Sequence, residues 1–458
     1  MKVIICGAGQ VGFNIARYLA SEDNDITVID ISRELIEKLS DTLDVQGLVG
    51  YASHPEVLEQ AGAGDADMLI AVTHADEVNM VACHVAHAIF DVPTKIARVR
   101  YQGYQRTEWS RLFDRDRLPI DVIISPEIEV ARAIARRLEI PGAFDAIPLV
   151  EGRVSLIGVR CTSECPIVNT PLRQLTQLFP DLNIVIVGIL RNDRRIVPDP
   201  DDVMLPGDDV YFVADSRHLN RAMAVFGHEE PEARRIIIVG GGNIGQNLAA
   251  NVEREHPGVS IKMIEIDKRR AEAVAQALPR VVVIHGDALD AEILEEANVK
   301  ATETVVAVSN DDEVNILASL LAKRFGCQRS ITLINKPTYT PLMGNLGIDA
   351  VVSPRAITVS TILQHVRRGR VRSVHTLSDG FGEIIEVEAL ETSGLVGPPL
   401  REAKLPEGVI VGAVVRDKEV IIPRGDTVVR TGDRVVLFAA AGAVKKVEKM
   451  FAVRLEFF

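Results

Sequence analysis

Along residues 2–124, short apolar runs alternate with longer stretches in which apolar positions recur every three or four residues. The runs Lys2–Cys6, Ile26–Asp30, Val45–Val49, Met68–Val72, Lys95–Val99 and Ile120–Ile124 have the length and the Val/Ile content of buried strands. The stretches between them have the period of amphipathic helices, one spanning 76–89. Strands alternating with helices predict parallel β-α-β units in an open, doubly wound sheet. Ser125 and Pro126 then predict an N-cap and first turn, with Glu127 and Glu129 at the positive end of a helix that Pro141 stops. Beyond it the pattern becomes shorter and more β-like. Strands are expected over Val154–Val159, Ile184–Leu190 and Val210–Ala214, and helices near Leu172–Phe179 and Leu219–Phe226. The Glu-, Pro- and His-rich stretch Gly227–Arg234 predicts a hinge.

The same pattern then returns. Val3-Ile4-Ile5-Cys6-Gly7-Ala8-Gly9-Gln10-Val11-Gly12 recurs as Ile236-Ile237-Ile238-Val239-Gly240-Gly241-Gly242-Asn243-Ile244-Gly245. Ala71–Asn79 lies over Ala307–Asn315 at a constant shift of 236 positions. Asp121–Pro126 matches Asp349–Pro354, and Pro206–Phe212 resembles Thr431–Leu437, with Gly207-Asp208 and Gly432-Asp433 expected as turns. The chain reads as one module written twice. The expected organisation is α/β: a Rossmann-like lobe over 1–124, a crossover helix over 125–143, a small α+β lobe over 144–227 and the hinge at 228–234. A second Rossmann-like lobe (235–352), crossover helix (353–372) and α+β lobe (373–458) follow.

Composition narrows the function. A chain of 458 residues with 47% hydrophobic content can bury several cores. A net charge of −13 gives little basis for tracking nucleic-acid phosphates, so no nucleic-acid partner is expected. The basic run Arg367-Arg368-Gly369-Arg370-Val371-Arg372 reads as a solvated helix end. No apolar stretch approaches the roughly 18–20 residues of a membrane span, and Met1-Lys2 leads directly into the first strand, leaving no room for a signal peptide. Five scattered cysteines make no disulfide framework, as suits a reducing cytoplasm.

The chemistry lies in the glycines. In G-x-G-x-x-G the first glycine allows a tight turn, the second lets a pyrophosphate approach the backbone, and the third allows close helix-on-strand packing. The motif occurs as Gly7/Gly9/Gly12 and as Gly240/Gly242/Gly245, each behind a β-branched run. Asp30 follows Gly12 by 18 positions and Glu265 follows Gly245 by 20, the distance expected of an acid that takes a ribose diol. Such an acid repels a 2′-phosphate, which excludes NADP and leaves NAD(H) and ATP or ADP open. Arg17 and Arg98 are candidate phosphate cations in the first copy, where the second has Ala250 and Leu333, so the first site is expected to favour phosphate charge. His74 aligns with Asn310, an exchange better suited to hydrogen-bond donation toward ribose or phosphate than to acid/base work.

A dinucleotide fold raises the alternative of an NAD-dependent oxidoreductase. Hydride transfer needs a proton relay, and after Val150 the first half offers only His218 and His228, in or beyond its last helix. Cys83-His84-x-x-His87 has helical spacing for metal ligands, but the second copy reads Ser319-Leu320-Leu321-Ala322-Lys323, so a packing or interface helix is expected and no metal. Cys161-x-x-x-Cys165 reads as two ordinary thiols in a loop.

With the duplication, both glycine motifs, the segments Thr73-His74-Ala75-Asp76-Glu77-Val78-Asn79 and Ser309-Asn310-Asp311-Asp312-Glu313-Val314-Asn315, and two Gly-Asp-bearing β appendages, the whole chain resembles the tandem RCK (regulator of K⁺ conductance, or KTN) family. These are the cytoplasmic regulatory subunits of bacterial Trk potassium-uptake systems. The resemblance implies nucleotide contacts at Gly7, Ala8, Gly9, Gln10, Val11, Asp30, Thr73, His74 and Arg98, and at Gly240, Gly241, Gly242, Asn243, Ile244, Glu265, Ser309 and Asn310. The chain departs from the family at Gly50-Tyr51-Ala52, where the second copy has the family's Gly286-Asp287-Ala288. The resemblance also implies a non-enzymatic nucleotide sensor at the inner face of the cell membrane, a membrane-embedded Trk-type K⁺ channel or transporter subunit as partner, and a homotetramer. A nucleotide-sensing transcriptional regulator is disfavoured by the acidic charge and the lack of a helix-turn-helix.

Overall fold

The computed structural model describes residues 1–21, 24–105, 107–114, 117–179, 182–192, 194–366, 371–377 and 381–451. The first alternation of runs forms β1 (Lys2–Cys6), α1 (Gln10–Ala20), β2 (Asp25–Asp30), α2 (Arg33–Thr42), β3 (Gln46–Val49), α3 (Pro55–Gln60), β4 (Met68–Ala71), α4 (Asp76–Ala88), β5 (Thr94–Arg98) and β6 (Val122–Ile124). The six strands pair in parallel in the order β3-β2-β1-β4-β5-β6. Every residue of β4 is buried, as in a central strand covered by helices on both faces. The order reverses between β1 and β4, the switch point beside which open α/β sheets hold ligands.

Helix α5 (Pro126–Glu139) leads into β7 (Ala143–Leu149), β8 (Val154–Arg160), α6 (Leu172–Leu178), β9 (Ile184–Arg191), β10 (Arg194–Ile196), β11 (Asp209–Asp215) and α7 (Leu219–Val225). Helix α5 begins at Pro126 as expected, yet the buried Ser125 hydroxyl makes no hydrogen bond among the described residues and is no side-chain cap. Strand β7 escapes the sequence reading because Asp145 and Pro148 interrupt its apolar run; it lies at the sheet edge, where a missing N–H is tolerated.

The second Rossmann-like lobe holds β12 (Arg235–Val239), α8 (Asn243–Glu255), β13 (Ser260–Glu265), α9 (Lys268–Ala277), β14 (Val282–His285), α10 (Ala291–Glu296), β15 (Thr304–Ala307), α11 (Asp312–Arg324), β16 (Arg329–Leu333), α12 (Thr340–Leu346) and β17 (Ala350–Val352). Its strand order, β14-β13-β12-β15-β16-β17, repeats that of the first. After α13 (Pro354–Val366), the second appendage comprises β18 (Val371–Thr376), β19 (Gly382–Glu388), β20 (Val409–Arg416), β21 (Glu419–Ile421), β22 (Arg434–Ala440) and α14 (Val444–Phe451). The appendage sheets run β10-β9-β11-β8-β7 and β21-β20-β22-β19-β18, the same order again.

The Gly-Asp pairs do more than turn. Gly207 and Gly432 stand at φ +91° and +87°, and each following aspartate is buried. Asp208 accepts from Arg191 Nε and Nη2 at 2.9 and 2.7 Å, and Asp433 from Arg416 Nε and Nη2 at the same distances. Such forked pairs fix the turn against the neighbouring strand.

The chain divides into two compact units that cross the halves of the duplication: Met1–Val130 with Pro354–Arg367, and Ala131–Ser353 with Arg368–Phe458. In the first unit Ile362, Leu363 and Val366 of α13 join Ile15, Ala16 and Leu19 of α1 in one core, although α13 follows the second lobe in sequence. Each such buried Ile or Leu contributes about 1.5–3 kcal/mol. In the second unit Arg329 at the start of β16 donates from Nη1 to Arg137 O of α5 at 3.0 Å. Each lobe thus carries part of the crossover helix encoded by the other half. Arg367–Arg370 lie outside the described residues.

Two glycine turns as the candidate functional site

Both G-x-G-x-x-G motifs run from the end of a lobe's first strand into the first turn of its first helix. Gly7 and Gly240 stand at φ +114° and +105°, which disfavours any side chain. A Cβ on Gly12 would lie 1.8 Å from Gly7 O, and one on Gly245 would lie 2.1 Å from Gly240 O. These four glycines are required by packing. Gly9 and Gly242 are not: their φ of −65° and −71° suits any residue, and a Cβ on either would meet nothing within 4 Å. The space beside them is open, and neither α1 nor α8 is closed by a side-chain cap. An uncapped helix N-terminus beside open space is a place for an anion.

The acids meet the same turns. Ala8 N–H donates to Asp30 Oδ2 at 2.7 Å, and Ser32 N–H donates to Oδ1 at 2.8 Å. Gly241 N–H donates to Glu265 Oε2 at 2.7 Å, and Asp267 N–H donates to Oε1 at 2.8 Å. A carboxylate oxygen has a second lone pair, so either acid can still accept from ribose hydroxyls. Exposure separates them: Asp30 is half-buried, whereas Glu265 is only 3% exposed and has Arg270 Nη1 at 3.5 Å. Gln246 Nε2 also donates to Gly241 O at 2.7 Å, a bond that Phe13 at the matching place cannot make. The second turn is the more closed.

The Asp-Glu-Val-Asn segments prove to be struts. Asn79 Oδ1 accepts from Thr73 N–H at 2.8 Å, and its Nδ2 donates to Arg98 O at 2.9 Å. Asn315 repeats this with Ser309 N–H at 2.8 Å and Leu333 O at 3.1 Å. Asp76 accepts from Arg100 N–H and Tyr101 N–H, and Asp312 from Asn335 N–H and Lys336 N–H. The buried Asp and Asn lock the β4 and β15 loops to the ends of β5 and β16, holding Thr73 and Ser309 half-buried with His74 and Asn310 exposed at the rim.

The two arginines fare differently. Arg17 lies in the last turn of α1, exposed, with Nη2 on Asn14 Oδ1 at 2.8 Å, so the expected phosphate contact is corrected: it is two helical turns from the N-terminus. Arg98 lies against the Thr73 loop beside the first turn. Its Nη2 donates to Thr73 O at 2.7 Å, its Nε is buried without a hydrogen bond among the described residues, and burial lowers its pKa.

Sequence reasoning missed Ile31 and Ile266, which directly follow the acids yet are 64% and 67% exposed. An apolar residue just past a strand end, repeated in both copies, was the available signal.

The other candidates resolve simply. Cys83 Sγ turns into the core toward Ile96 O at 3.9 Å while His84 is exposed, so the two do not converge. Cys161 and Cys165 lie in the loop after β8, as expected, and are buried there in the core of the first appendage. Their mutual interaction pushes the Cys161 thiol up and the Cys165 thiol down. Among the described residues, Glu139, Glu255 and His256 bring three ligand-type atoms within 4.8 Å of one another, a group the sequence did not suggest. No helix among them is long and apolar enough to cross a membrane.

Comparison with known proteins agrees with this layout. The TrkA-N domain model matches residues 3–126 and 236–354, and the TrkA-C domain model matches 156–227 and 384–452. The Trk system potassium uptake protein TrkA of Azorhizobium caulinodans is 55% identical over 458 residues, covering 100% of both chains. Its counterpart from Halomonas elongata is 43% identical over 462 residues, again covering 100% of both. Among solved structures, the GsuK RCK domain aligns at TM-score 0.59 and 19% identity over 99% of this chain and 95% of that one. The GsuK channel bound to NAD aligns at TM-score 0.59 and 19% identity over 99% of this chain and 79% of that one, a likeness of fold. With both domain models matched twice and full-length relatives of this identity, the chain belongs to the TrkA family of Trk system potassium uptake proteins.

Proposed function

We propose that this chain is a cytoplasmic, non-enzymatic regulatory subunit that senses NAD(H), or ATP and ADP, and sets the activity of a membrane-embedded Trk-type K⁺ channel or transporter subunit. One observation carries the ligand reading. In both turns the outer glycines are demanded by packing, while Gly9 and Gly242 are demanded by nothing in the protein and border open space at a helix N-terminus. The nucleotide phosphates sit there, on the first N–H groups of α1 and α8. Asp30 and Glu265 take the ribose diol, and Thr73, His74, Ser309 and Asn310 line the far side. An acid facing the diol repels a 2′-phosphate, so NADP(H) is rejected.

Coupling is a population shift. A nucleotide moves a self-associated assembly, a homotetramer by analogy with the family, between conducting and resting arrangements only as far as it binds the two with different affinity. His74 and Asn310 hold the same place, and an amide does not titrate, so the role they share is hydrogen bonding.

The test is K⁺ flux in proteoliposomes holding the membrane subunit, with this chain added and NADH, NAD, ATP or ADP varied. Nucleotide-dependent flux that vanishes in the Gly9→Asp/Gly242→Asp double variant is the expected result; flux indifferent to every nucleotide sinks the reading. NADH consumption above about 0.1 s⁻¹ with small carbonyl compounds, low against common enzyme rates, would instead restore the oxidoreductase.

A further inference from the structure

Just past the acids, the two sites diverge as a block. In the first lobe Asp30 pairs with Val49 across β2 and β3, and Gly50 N–H donates to Asp30 O at 3.0 Å; in the second, Glu265 pairs with His285, and Gly286 N–H donates to Glu265 O at 3.0 Å. The backbones match, so the next residues, Tyr51 and Asp287, occupy equivalent places. Tyr51 is 56% exposed, and its ring stacks on His54 with centroids 5.0 Å apart and planes 28° apart. Val49 and Leu35 stand exposed on the same strand ends and the following helix.

In the second lobe these apolar and aromatic groups give way to His285, Asp287 and Arg270, all at matching positions. Asp287 is exposed and accepts from Leu289 N–H through Oδ1 at 2.9 Å. Asp290, at the place of His54, caps α10 by accepting from Glu292 N–H at 3.0 Å, whereas His54 makes no such cap for α3. The exposed isoleucines, Ile31 and Ile266, are common to both.

A nucleotide whose phosphates lie at the glycine turn and whose ribose meets the acid must place its base beyond that acid, at the ends of β2 and β3 or of β13 and β14. We propose that the two lobes read the base by different means. The first lobe holds it by its face, on the Tyr51–His54 stack and Ile31; the second reads its edge, with Asp287 accepting from the 6-amino group of adenine. An aromatic stack is tolerant because every base has a π-face. A base edge without a donor would cover the remaining Asp287 oxygen, taking it from water without giving it a partner, so the second lobe is selective for adenine. The proposal rests on the nucleotide-binding reading above and deepens it.

The experiment uses the full chain with one site blocked at a time. Gly242→Asp leaves the first site and Gly9→Asp the second; a Cβ at either place meets nothing within 4 Å, so folding should be preserved while the added charge opposes phosphate. Calorimetry compares NAD with its 1,N6-etheno analogue, which has no donor on the base edge. The Gly242→Asp chain should bind both within about threefold, and the Gly9→Asp chain should bind the analogue at least about tenfold more weakly, about 1.4 kcal/mol. In the Gly242→Asp background Tyr51→Ala should weaken both dinucleotides about tenfold and Tyr51→Phe should restore them. In the Gly9→Asp background Asp287→Ala should weaken NAD but not the analogue. Equal discrimination at both sites, or a Tyr51→Ala chain that binds like its parent, overturns the proposal while leaving nucleotide binding intact. Failure of the unsubstituted chain to bind any nucleotide overturns the functional reading and this proposal together.

Discussion

The two glycine turns of this chain share a skeleton of equivalent hydrogen bonds and close glycine contacts and differ in several of the side chains around it. Gly7 with Gly12 matches Gly240 with Gly245, Asn79 matches Asn315, and Asp76 matches Asp312, each with the same backbone partners. Around that skeleton a half-buried Asp30 stands against an enclosed Glu265, Phe13 against Gln246, Arg98 against Leu333 and Tyr51 against Asp287. The kept groups are those whose loss creates a clash or an unpaired buried polar atom. The exchanged ones end in solvent or in ligand space, where a change costs the fold little. The second turn has its acid and its Gly241 carbonyl already tied down, so ligand must compete there with internal bonds that the first turn lacks in part.

The largest effect should appear where the two turns are alike. Gly12→Ala and Gly245→Ala each force a Cβ into a carbonyl oxygen and should lower stability by about 4 kcal/mol or more, while Gly9→Ala and Gly242→Ala should stay within about 1 kcal/mol. Denaturant titration checks this, and a Gly9→Ala chain as unstable as Gly12→Ala would remove the reason for assigning the middle glycine to a ligand. Next come the struts: Asn79→Ala and Asn315→Ala each orphan buried backbone groups, and we expect about 2–4 kcal/mol from either, in near-equal amounts. Unequal losses would mean that the skeletons are less alike than their hydrogen bonds.

Differences between the turns should show in binding. With the other site blocked, Asp30→Asn should weaken NADH about tenfold at the first site, because that acid is open to a charge-assisted ribose contact. Glu265→Gln should cost the second site less, about threefold, since Glu265 is engaged by Gly241, Asp267 and Arg270. A larger loss at Glu265 reverses the ranking of the two acids. The smallest expected effect is on ATP at the first site: Arg98→Leu, the second lobe's residue, should lower affinity about three- to fivefold, because one arm of Arg98 already holds Thr73 O. Arg17→Ala should change it less than twofold, and a greater loss would put Arg17 back among the phosphate contacts.

The sequence by itself determined the features that are local or repeated. β-branched runs of strand length, helical periodicity between them, and glycines at a fixed offset from an acid specified two Rossmann-like lobes, and the duplication supplied the α+β appendages. Each of these depends on contacts within some thirty residues, which a linear pattern records. Strand β7 was missed because its Asp145 and Pro148 are tolerated only at a sheet edge, and edge position is a property of the assembled sheet. The packing of α13 on α1 rather than beside its own preceding lobe was equally invisible, since an amphipathic helix declares an apolar face and not what will cover it. Arg17, Arg98 and Glu265 were all readable as charged groups near a glycine turn. Which of them points into open space, which supports a loop and which is sealed beneath a backbone amide depends on rotamers chosen by neighbours distant in sequence, and those only the tertiary structure decides.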